Sequence, residues 1–274
     1  MNTPFSIDVI TEEGREVIVQ VDAVRAQKAL HRYAHYQHIS RYYEVTRYDV
    51  DPKSQQGRIL VKELENPEYT TTARVEREVT ILRTIRKESL HNYSAYFGEV
   101  HSQTDVSGYY RVPLFARNEP FQYQPLGLAA PRPITYDTHG LWLTISPHIL
   151  ADYTEEEQSA GLYSLTEALR LAIAVEELCD PSDLSSVSAV HSPDTNMPTV
   201  TIHDTTPGGI GLTEAASTKM DTLLDRSLLI LGDCPYCSQH PDSLGCPYCV
   251  TAQYGDETTI NRHVAIKILQ AMIG

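Results

Sequence analysis

Four cysteines lie within sixteen residues near the end of the chain, as two Cys-x2-Cys pairs separated by eight residues: Cys234, Cys237, Cys246 and Cys249. Each pair places two thiolates on one tight turn. The connector carries Pro241 and Gly245, so it can reverse and bring the two turns face to face. The spacing predicts a closed tetrahedral site for a structural Zn²⁺ ion, with no coordination position left for chemistry at the metal. Two disulfides or a redox-active Cys-x2-Cys pair are the alternatives.

The composition indicates a globular protein of a reducing compartment. The chain has 274 residues, of which 41% are hydrophobic and 21% charged, which is enough for one large domain or two ordinary ones. No apolar run approaches the roughly 20 residues that a membrane-spanning helix needs. The first residues lack the basic-then-apolar pattern of a secretion signal. Of the five cysteines, four have metal spacing, which suits a reducing compartment better than a disulfide framework. We therefore expect a cytoplasmic protein without a membrane partner.

Charge is distributed unevenly along the chain. Residues 1–150 carry 17 Lys/Arg and 18 Asp/Glu, whereas residues 151–274 carry 5 and 18. Four thiolates around one Zn²⁺ add about two further negative charges to the second part. A nucleic-acid backbone would be repelled by that part and would meet only the first.

Hydrophobic patterning predicts an α+β fold. Residues 39–51, 57–64 and 72–88 read as strands, the first two with the alternation of half-buried antiparallel strands. Residues 159–179 have the broadest apolar stripe of the chain and predict a long helix; a single helix is predicted over 212–231 and another at 261–273. We expect a strand-rich N-terminal part over 1–150, packed on a helix-rich, zinc-binding C-terminal part over 151–274.

Basic and aromatic residues alternate in residues 31–48, HRYAHYQHISRYYEVTRY. Single-stranded nucleic acid is bound by such a mixture, because cations neutralise phosphates and rings stack on bases. The candidate contact residues are Arg32, Arg41, Arg47, Tyr42 and Tyr43. An amphipathic segment with core tyrosines has the same pattern, so both interpretations stay open here.

The loop HDTTPGGIGL follows a predicted strand and precedes a predicted helix, where backbone amides can hold a phosphate. Its candidate residues are Asp204, Pro207, Gly208 and Gly209. It lacks a phosphate-loop Lys-Ser/Thr and has no nearby cation. A packing turn is the favoured interpretation, and a ligand contact is the alternative.

Three acidic residues offer a different function. Asp180, Asp183 and Asp204 could hold Mg²⁺ as a metal-dependent hydrolase or nuclease does. The competing interpretation assigns Asp180 and Asp183 to the turn that ends the long helix, since no general base or substrate-binding cation accompanies them.

The order of four passages resembles the zinc-binding C-terminal domain (MZB family) of mitomycin-repair-type superfamily 2 DEAD/DEAH-box DNA helicases and related phage-defence proteins. These passages are RAQKALHRYAHYQHISRYYEV, YDTHGLWLTIS, CDPSDLSSVSAVHSPDTNMPTVTIHDTTPGGIGL and the cysteine block with the helix that follows it. Together they cover nearly the whole chain. The resemblance carries the family's metal ligands onto the four cysteines and its Asp-x-x-Pro-Gly-Gly loop onto Asp204, Pro207, Gly208 and Gly209.

The resemblance implies a non-catalytic accessory module of a DNA repair or defence system. Motor motifs do not occur in this sequence, so the expected partner is a superfamily 2 helicase or ATPase, in cis or in trans, together with single-stranded DNA. The module would position nucleic acid or dock on the motor. A hydrolase that uses the three aspartates and a pure protein-interaction scaffold are the alternatives.

Overall fold

The computed structural model describes residues 7–13, 17–51, 54, 56–90, 92–115, 121–251 and 260–274. The chain forms two compact units. Unit 1 consists of Met1–Glu78 and Gln103–Thr135, and unit 2 of Val79–Ser102 and Tyr136–Gly274. None of the helices in the described ranges is both long enough and apolar enough to cross a membrane.

A five-stranded sheet and one short helix begin unit 1. The elements in chain order are β1 (Ile7–Thr11), β2 (Val17–Val21), α1 (Ala23–Ala29), β3 (His35–His38), β4 (Arg41–Asp51) and β5 (Gln56–Leu64). The strand order is β2-β1-β5-β4-β3, with β1 parallel to β5 and the other pairs antiparallel. Alternate residues such as Val45, Ile59 and Val61 are fully buried, so one face of this sheet supplies a core, as the alternation predicted.

Two long strands contribute to both units. β6 (Tyr69–Ser89) and β7 (Tyr93–Pro113) each have 21 residues. Tyr69–Glu78 and Gln103–Pro113 lie in unit 1, and the remaining residues of both strands lie in unit 2. Within unit 1, Gly108–Arg111 of β7 pair with β8 (Gln122–Pro125).

Unit 2 places helices on a sheet. Its elements are β9 (Ile134–Ile145), α2 (Glu155–Glu176), β10 (Leu184–Ala189), β11 (Thr199–Asp204), α3 (Leu212–Ala216), α4 (Met220–Gly232) and α5 (Arg262–Ile273). The strand order is β10-β11-β9-β7-β6. Side chains of β9, α2, α4 and α5 form one core, and this core includes the four cysteines of the predicted zinc site.

Helix α2 is the central helix of this core. Thr154 accepts a hydrogen bond from the Glu157 amide, and the Glu157 side chain accepts one from the Thr154 amide, so a capping box starts the helix. Its residues Leu162, Leu165 and Leu169 are buried. At Gly161 an added Cβ would lie 2.4 Å from Cγ1 of Val264, which shows how closely α2 and α5 approach each other.

The predicted α+β class is confirmed, with strands early and helices late. The predicted single helix over 212–231 is wrong in one detail, because it is broken into α3 and α4. Ser217 Oγ donates to the Glu214 carbonyl at 2.7 Å and Thr218 Oγ1 to the Ala215 carbonyl at 2.8 Å. Such side-chain bonds compete with the helical ladder. The two units alternate along the chain, and the single boundary at residue 150 stays a prediction about domains.

Candidate zinc centre and nucleic-acid surface

The four predicted ligands come together in unit 2. Cys234, Cys237, Cys246 and Cys249 are all buried, and their sulfur atoms lie within 4.8 Å of one another. Three Sγ–Sγ distances are 3.4 Å (Cys234–Cys246), 3.7 Å (Cys237–Cys249) and 3.7 Å (Cys246–Cys249). Four sulfurs bound to one Zn²⁺ at about 2.3 Å would lie about 3.8 Å apart at the corners of a tetrahedron. The thiols therefore fit a zinc ion.

Backbone hydrogen bonds explain how each cysteine pair presents its two sulfurs. The Ser238 amide donates to the Cys234 carbonyl at 2.9 Å, and the Cys249 amide donates to the Cys246 carbonyl at 3.0 Å, so each Cys-Pro-Tyr-Cys run closes a turn. Cys246 and Val250 also form an isolated antiparallel bridge. The two turns face each other across the sulfur cluster, as the spacing predicted.

The metal-free thiols would not all be charged. Burial raises the pKa of Cys249 to about 12 and also raises the pKa of Cys237. Burial opposes ionisation of Cys234 as well, but the amide hydrogen bond and thiol contacts that it accepts lower its pKa to about 7. Zinc binding displaces the remaining protons, since the thiolate is the ligand. Four sulfur ligands close the coordination shell, and the ion has a structural role.

One buried cation, Arg262, donates hydrogen bonds to several segments around this centre. Arg262 is only 6% exposed, and its guanidinium donates to three backbone carbonyls: Ser243 at 2.9 Å, Leu231 at 2.9 Å and Cys237 at 3.5 Å. These carbonyls belong to the connector, the last turn of α4 and the first cysteine turn. These carbonyls are neutral and do not balance the positive charge of Arg262. The negative zinc–thiolate cluster beside it does.

The Pro-Gly-Gly loop is organised by Asp204, which is fully buried. Its carboxylate accepts hydrogen bonds from the amides of Ile210 at 2.7 Å, Gly211 at 3.0 Å and Thr213 at 3.0 Å. The loop needs glycine at two points. Gly208 has φ +79°, and a Cβ on Gly209 would meet the His139 ring at 2.7 Å. These contacts support the packing-turn interpretation; ligand binding by Asp204, Pro207, Gly208 and Gly209 stays a prediction.

Two of the three aspartates of the hydrolase alternative, Asp180 and Asp204, have side chains that accept hydrogen bonds from separate backbone segments. Asp180 accepts a hydrogen bond from the Ser182 amide and caps the short 3-10 turn Pro181–Asp183. This backbone hydrogen bond lowers the pKa of Asp180. Asp204 is occupied by the three amides of its loop. In the part of the chain that the structure describes, only the four cysteines bring three or more potential metal ligands (His, Cys, Asp or Glu) within metal-binding distance of one another.

Two of the predicted nucleic-acid residues line one cavity of unit 1. Arg32 and Arg47 meet there with Arg132, a residue that the sequence pattern did not single out, around a volume of about 760 Å³. The other charged residues in the lining are Asp49 and Asp51, and Arg47 forms an ion pair with Asp49. We call this cavity the arginine cleft. Three guanidinium groups against two carboxylates leave its lining with a positive balance.

Helix α1 positions the cleft. Gln27 is fully buried and donates from Nε2 to the carbonyl oxygens of Thr104 at 3.3 Å and Arg132 at 3.1 Å. The chain then leaves α1 toward Arg32, whose guanidinium lies 5.0 Å from the centre of the Tyr33 ring. The buried side-chain amide of Gln27 therefore holds helix α1, which precedes Arg32, against the segment that contains Arg132.

The other predicted contact residues lie outside the cleft. Arg41 pairs with Glu63 on the neighbouring strand at 3.3 Å. Tyr42 is half-buried and Tyr43 is 5% exposed, so little of the Tyr43 ring is open to a base. Nucleic-acid contact by Arg41, Tyr42 and Tyr43 stays a prediction. Tyr43 and Val45, two residues apart on β4, are buried on the same face of the sheet. Arg41 is exposed at the start of the strand, and Arg47 is exposed beyond the irregularity in register between Val45 and Arg47.

Comparison with known proteins agrees with the zinc geometry. The family model MZB, described as the MrfA Zn-binding domain, matches residues 165–250. The resemblance to the MZB family is confirmed. The matched segment contains the second half of α2, the Pro-Gly-Gly loop, α4 and all four cysteines. The prediction of a structural zinc ion is confirmed with it.

Longer similarities extend beyond the MZB segment. The chain is 24% identical over 234 residues to YprA, an uncharacterized ATP-dependent helicase of Bacillus subtilis (strain 168), and this covers 85% of the chain and 29% of YprA. Its fold is similar to the crystal structure of the DUF1998 helicase MrfA bound to DNA, with TM-score 0.63 and 20% identity over 97% of the chain and 34% of MrfA. A second MrfA crystal structure gives TM-score 0.61 at 18% identity. The chain spans about a third of the length of these relatives.

Sequence reasoning missed Arg262 and Arg132. The sequence offered one signal for Arg262, since it is the only Lys or Arg between Arg226 and Lys267 and stands where a helix begins. No local signal marked Arg132, which lies in a proline-rich stretch far from α1 in sequence. Only the tertiary hydrogen bond to Gln27 brings it to the cleft.

Proposed function

We propose that this chain is a non-catalytic accessory module for a helicase-type motor, and that the arginine cleft of unit 1 binds the phosphate backbone of a single strand. The observation that carries the proposal is the convergence of Arg32, Arg47 and Arg132 on one cavity. Two of these residues were predicted from the sequence as nucleic-acid contacts. The similarity of almost the whole chain to MrfA, a helicase crystallised with DNA, supports the association with a motor.

The charges of the two units support the choice of unit 1. Its two segments carry 14 Lys/Arg and 15 Asp/Glu, whereas those of unit 2 carry 8 and 21. Long-range repulsion of a polyanion is therefore concentrated on unit 2, and unit 1 is close to neutral. A local group of guanidiniums on a nearly neutral unit can bind phosphate, and Arg presents a fork that matches phosphate oxygens.

Binding of a labelled thymidine oligonucleotide to the purified chain tests this function. We expect an Arg32→Ala, Arg47→Ala, Arg132→Ala variant to bind more weakly in fluorescence anisotropy. The plot of log affinity against log salt should become shallower by about 2, because each lost phosphate contact removes about 0.7 from the slope for a single strand. Arg41→Ala is the matched control, since it removes an exposed cation that pairs with Glu63 outside the cleft.

The proposal fails if the triple variant and Arg41→Ala lose the same affinity, or if the wild-type chain does not bind the oligonucleotide at low salt. The latter result would favour a protein scaffold. The hydrolase alternative requires turnover of nucleic acid or a phosphate ester with Mg²⁺ or Mn²⁺ that disappears in Asp183→Asn while the zinc content is unchanged. We expect no such turnover.

A further inference from the structure

The two cysteine turns expose a matched pair of aromatic rings. We call residues 233–251, which contain both turns, the zinc knob. In each turn the residue before the second cysteine is a tyrosine. Tyr236 is 46% exposed and Tyr248 is 77% exposed, while the four cysteines beside them are buried. Cys237 and Cys249, which follow these tyrosines, have their sulfurs 3.7 Å apart, so the two backbone turns that carry the rings meet at the zinc site.

Other features add apolar area and order to this surface. Leu244 in the connector is 48% exposed. The Tyr236 ring contacts the His240 ring with centroids 4.4 Å apart, which limits the orientations that Tyr236 can adopt. Zinc fixes the backbone of both turns, and with it the positions from which the two rings project. Aromatic side chains are enriched at protein interfaces.

The charged residues of this part of the sequence have one sign. The sequence from residue 227 to 261 contains no Lys or Arg but four acidic residues, Asp233, Asp242, Asp256 and Glu257. Asp233 and Asp242 are exposed, and the zinc–thiolate cluster adds about two negative charges beneath them. Arg262, the next cation along the sequence, is buried and directs its guanidinium to backbone carbonyls. This surface therefore attracts cations and repels phosphate.

We propose that the zinc knob is a docking surface for an arginine-rich segment of a protein partner. The exposed faces of Tyr236 and Tyr248 receive guanidinium groups by cation–π contact, which suits Arg better than Lys because the planar group also stacks. Asp233 and Asp242 supply the long-range attraction. This proposal does not depend on nucleic-acid binding by unit 1, since it concerns a different unit and a ligand of opposite charge.

Binding of fluorescein-labelled octa-arginine, measured by anisotropy on the zinc-loaded chain, tests the proposal. We expect a Tyr236→Leu, Tyr248→Leu variant to lose at least fivefold in affinity, since each exposed cation–π contact contributes about 0.5–1 kcal/mol. A Tyr236→Phe, Tyr248→Phe variant keeps both π faces and should bind like the wild type. Octa-lysine has the same charge and should lose less in the leucine variant.

A second variant separates charge from stacking. Asp233→Asn with Asp242→Asn should weaken octa-arginine and octa-lysine binding by similar factors, and it keeps the proposal testable if the leucine variant fails to retain zinc. Metal analysis of every variant provides the folding control.

Three results would overturn the proposal. The first is an unchanged octa-arginine affinity in the leucine variant, provided that this variant retains zinc. If it loses zinc, an unchanged affinity in the asparagine variant is the result that counts. The second is preferential binding of an oligothymidylate that depends on the two tyrosines, which would make the surface a base-stacking platform. The third is a dimer in sedimentation that dissociates in the leucine variant, which would make the occupant a second copy of this chain.

Discussion

Arg262 is a charged side chain buried beside the zinc site. A buried guanidinium that bonds only to carbonyls is unfavourable unless negative charge lies close to it. Its partners, the carbonyls of Leu231, Ser243 and Cys237, belong to three segments that meet around the sulfur cluster. Arg262 thus connects the metal site with the helices of unit 2.

Replacing Arg262 by Gln should weaken zinc retention. The shorter amide cannot reach all three carbonyls, and each buried acceptor left without a donor costs about 1–3 kcal/mol. We expect faster zinc transfer to a colorimetric chelator and a lower midpoint of thermal unfolding. Lys267→Gln is the control, because it removes a cation of the same helix that is exposed. Equal transfer rates in the two variants would refute the role assigned to Arg262.

Among the helices, strands and turns, the features that the sequence predicted correctly are those set by residues close together in the chain. The cysteine turns and the alternation of β4 and β5 depend on residues close in sequence, and both were predicted. The break between α3 and α4 was not, because Ser217 and Thr218 can either continue a helix or bond to its carbonyls. The burial of Tyr43 and the place of Arg132 depend on packing between distant segments, which no local pattern encodes.

The close approach of α2 and α5 gives a test of helix packing. Gly161→Ala should destabilise the chain although alanine favours a helix by about 1 kcal/mol. The added methyl would lie 2.4 Å from Val264 Cγ1 and 2.9 Å from its Cβ, so α5 must shift. Crowding of this kind costs about 1–3 kcal/mol.

Gly232→Ala provides the matched control in chemical denaturation. It makes the same change at the end of α4, where an added Cβ meets nothing within 4 Å, and it should be neutral or slightly stabilising. If both alanine variants unfold at the same denaturant concentration as the wild type, α2 and α5 do not pack as described.

The zinc site is part of the hydrophobic core of unit 2. The four cysteines are part of the same buried cluster as Leu231 of α4, Ile268 of α5 and Leu165 of α2. The chain's single tryptophan, Trp142, is 1% exposed in β9 and stacks on Tyr96 with ring centroids 5.5 Å apart. Tryptophan fluorescence therefore reports on unit 2.

Removal of zinc under reducing conditions should lower the stability of unit 2. Without the ion, buried thiols replace metal–thiolate bonds whose formation contributes to folding. We expect the emission of Trp142 to shift to longer wavelength at a lower urea concentration in the chelated protein, with reduced helical ellipticity. Resupplying Zn²⁺ should restore both signals. Coincident urea curves before and after chelation would show that the metal does not stabilise this unit.

The passage of β6 and β7 through both units has a practical consequence for dissecting this protein. A fragment that starts at Tyr136 would contain every cysteine and helix of unit 2 but would lack Val79–Ser102, which form two strands of its sheet. The edge of β9 would then be left unpaired and open to aggregation. Deletion at a single cut point therefore cannot isolate either half, and a faithful minimal version would have to be made by joining the two segments of one unit with a designed loop.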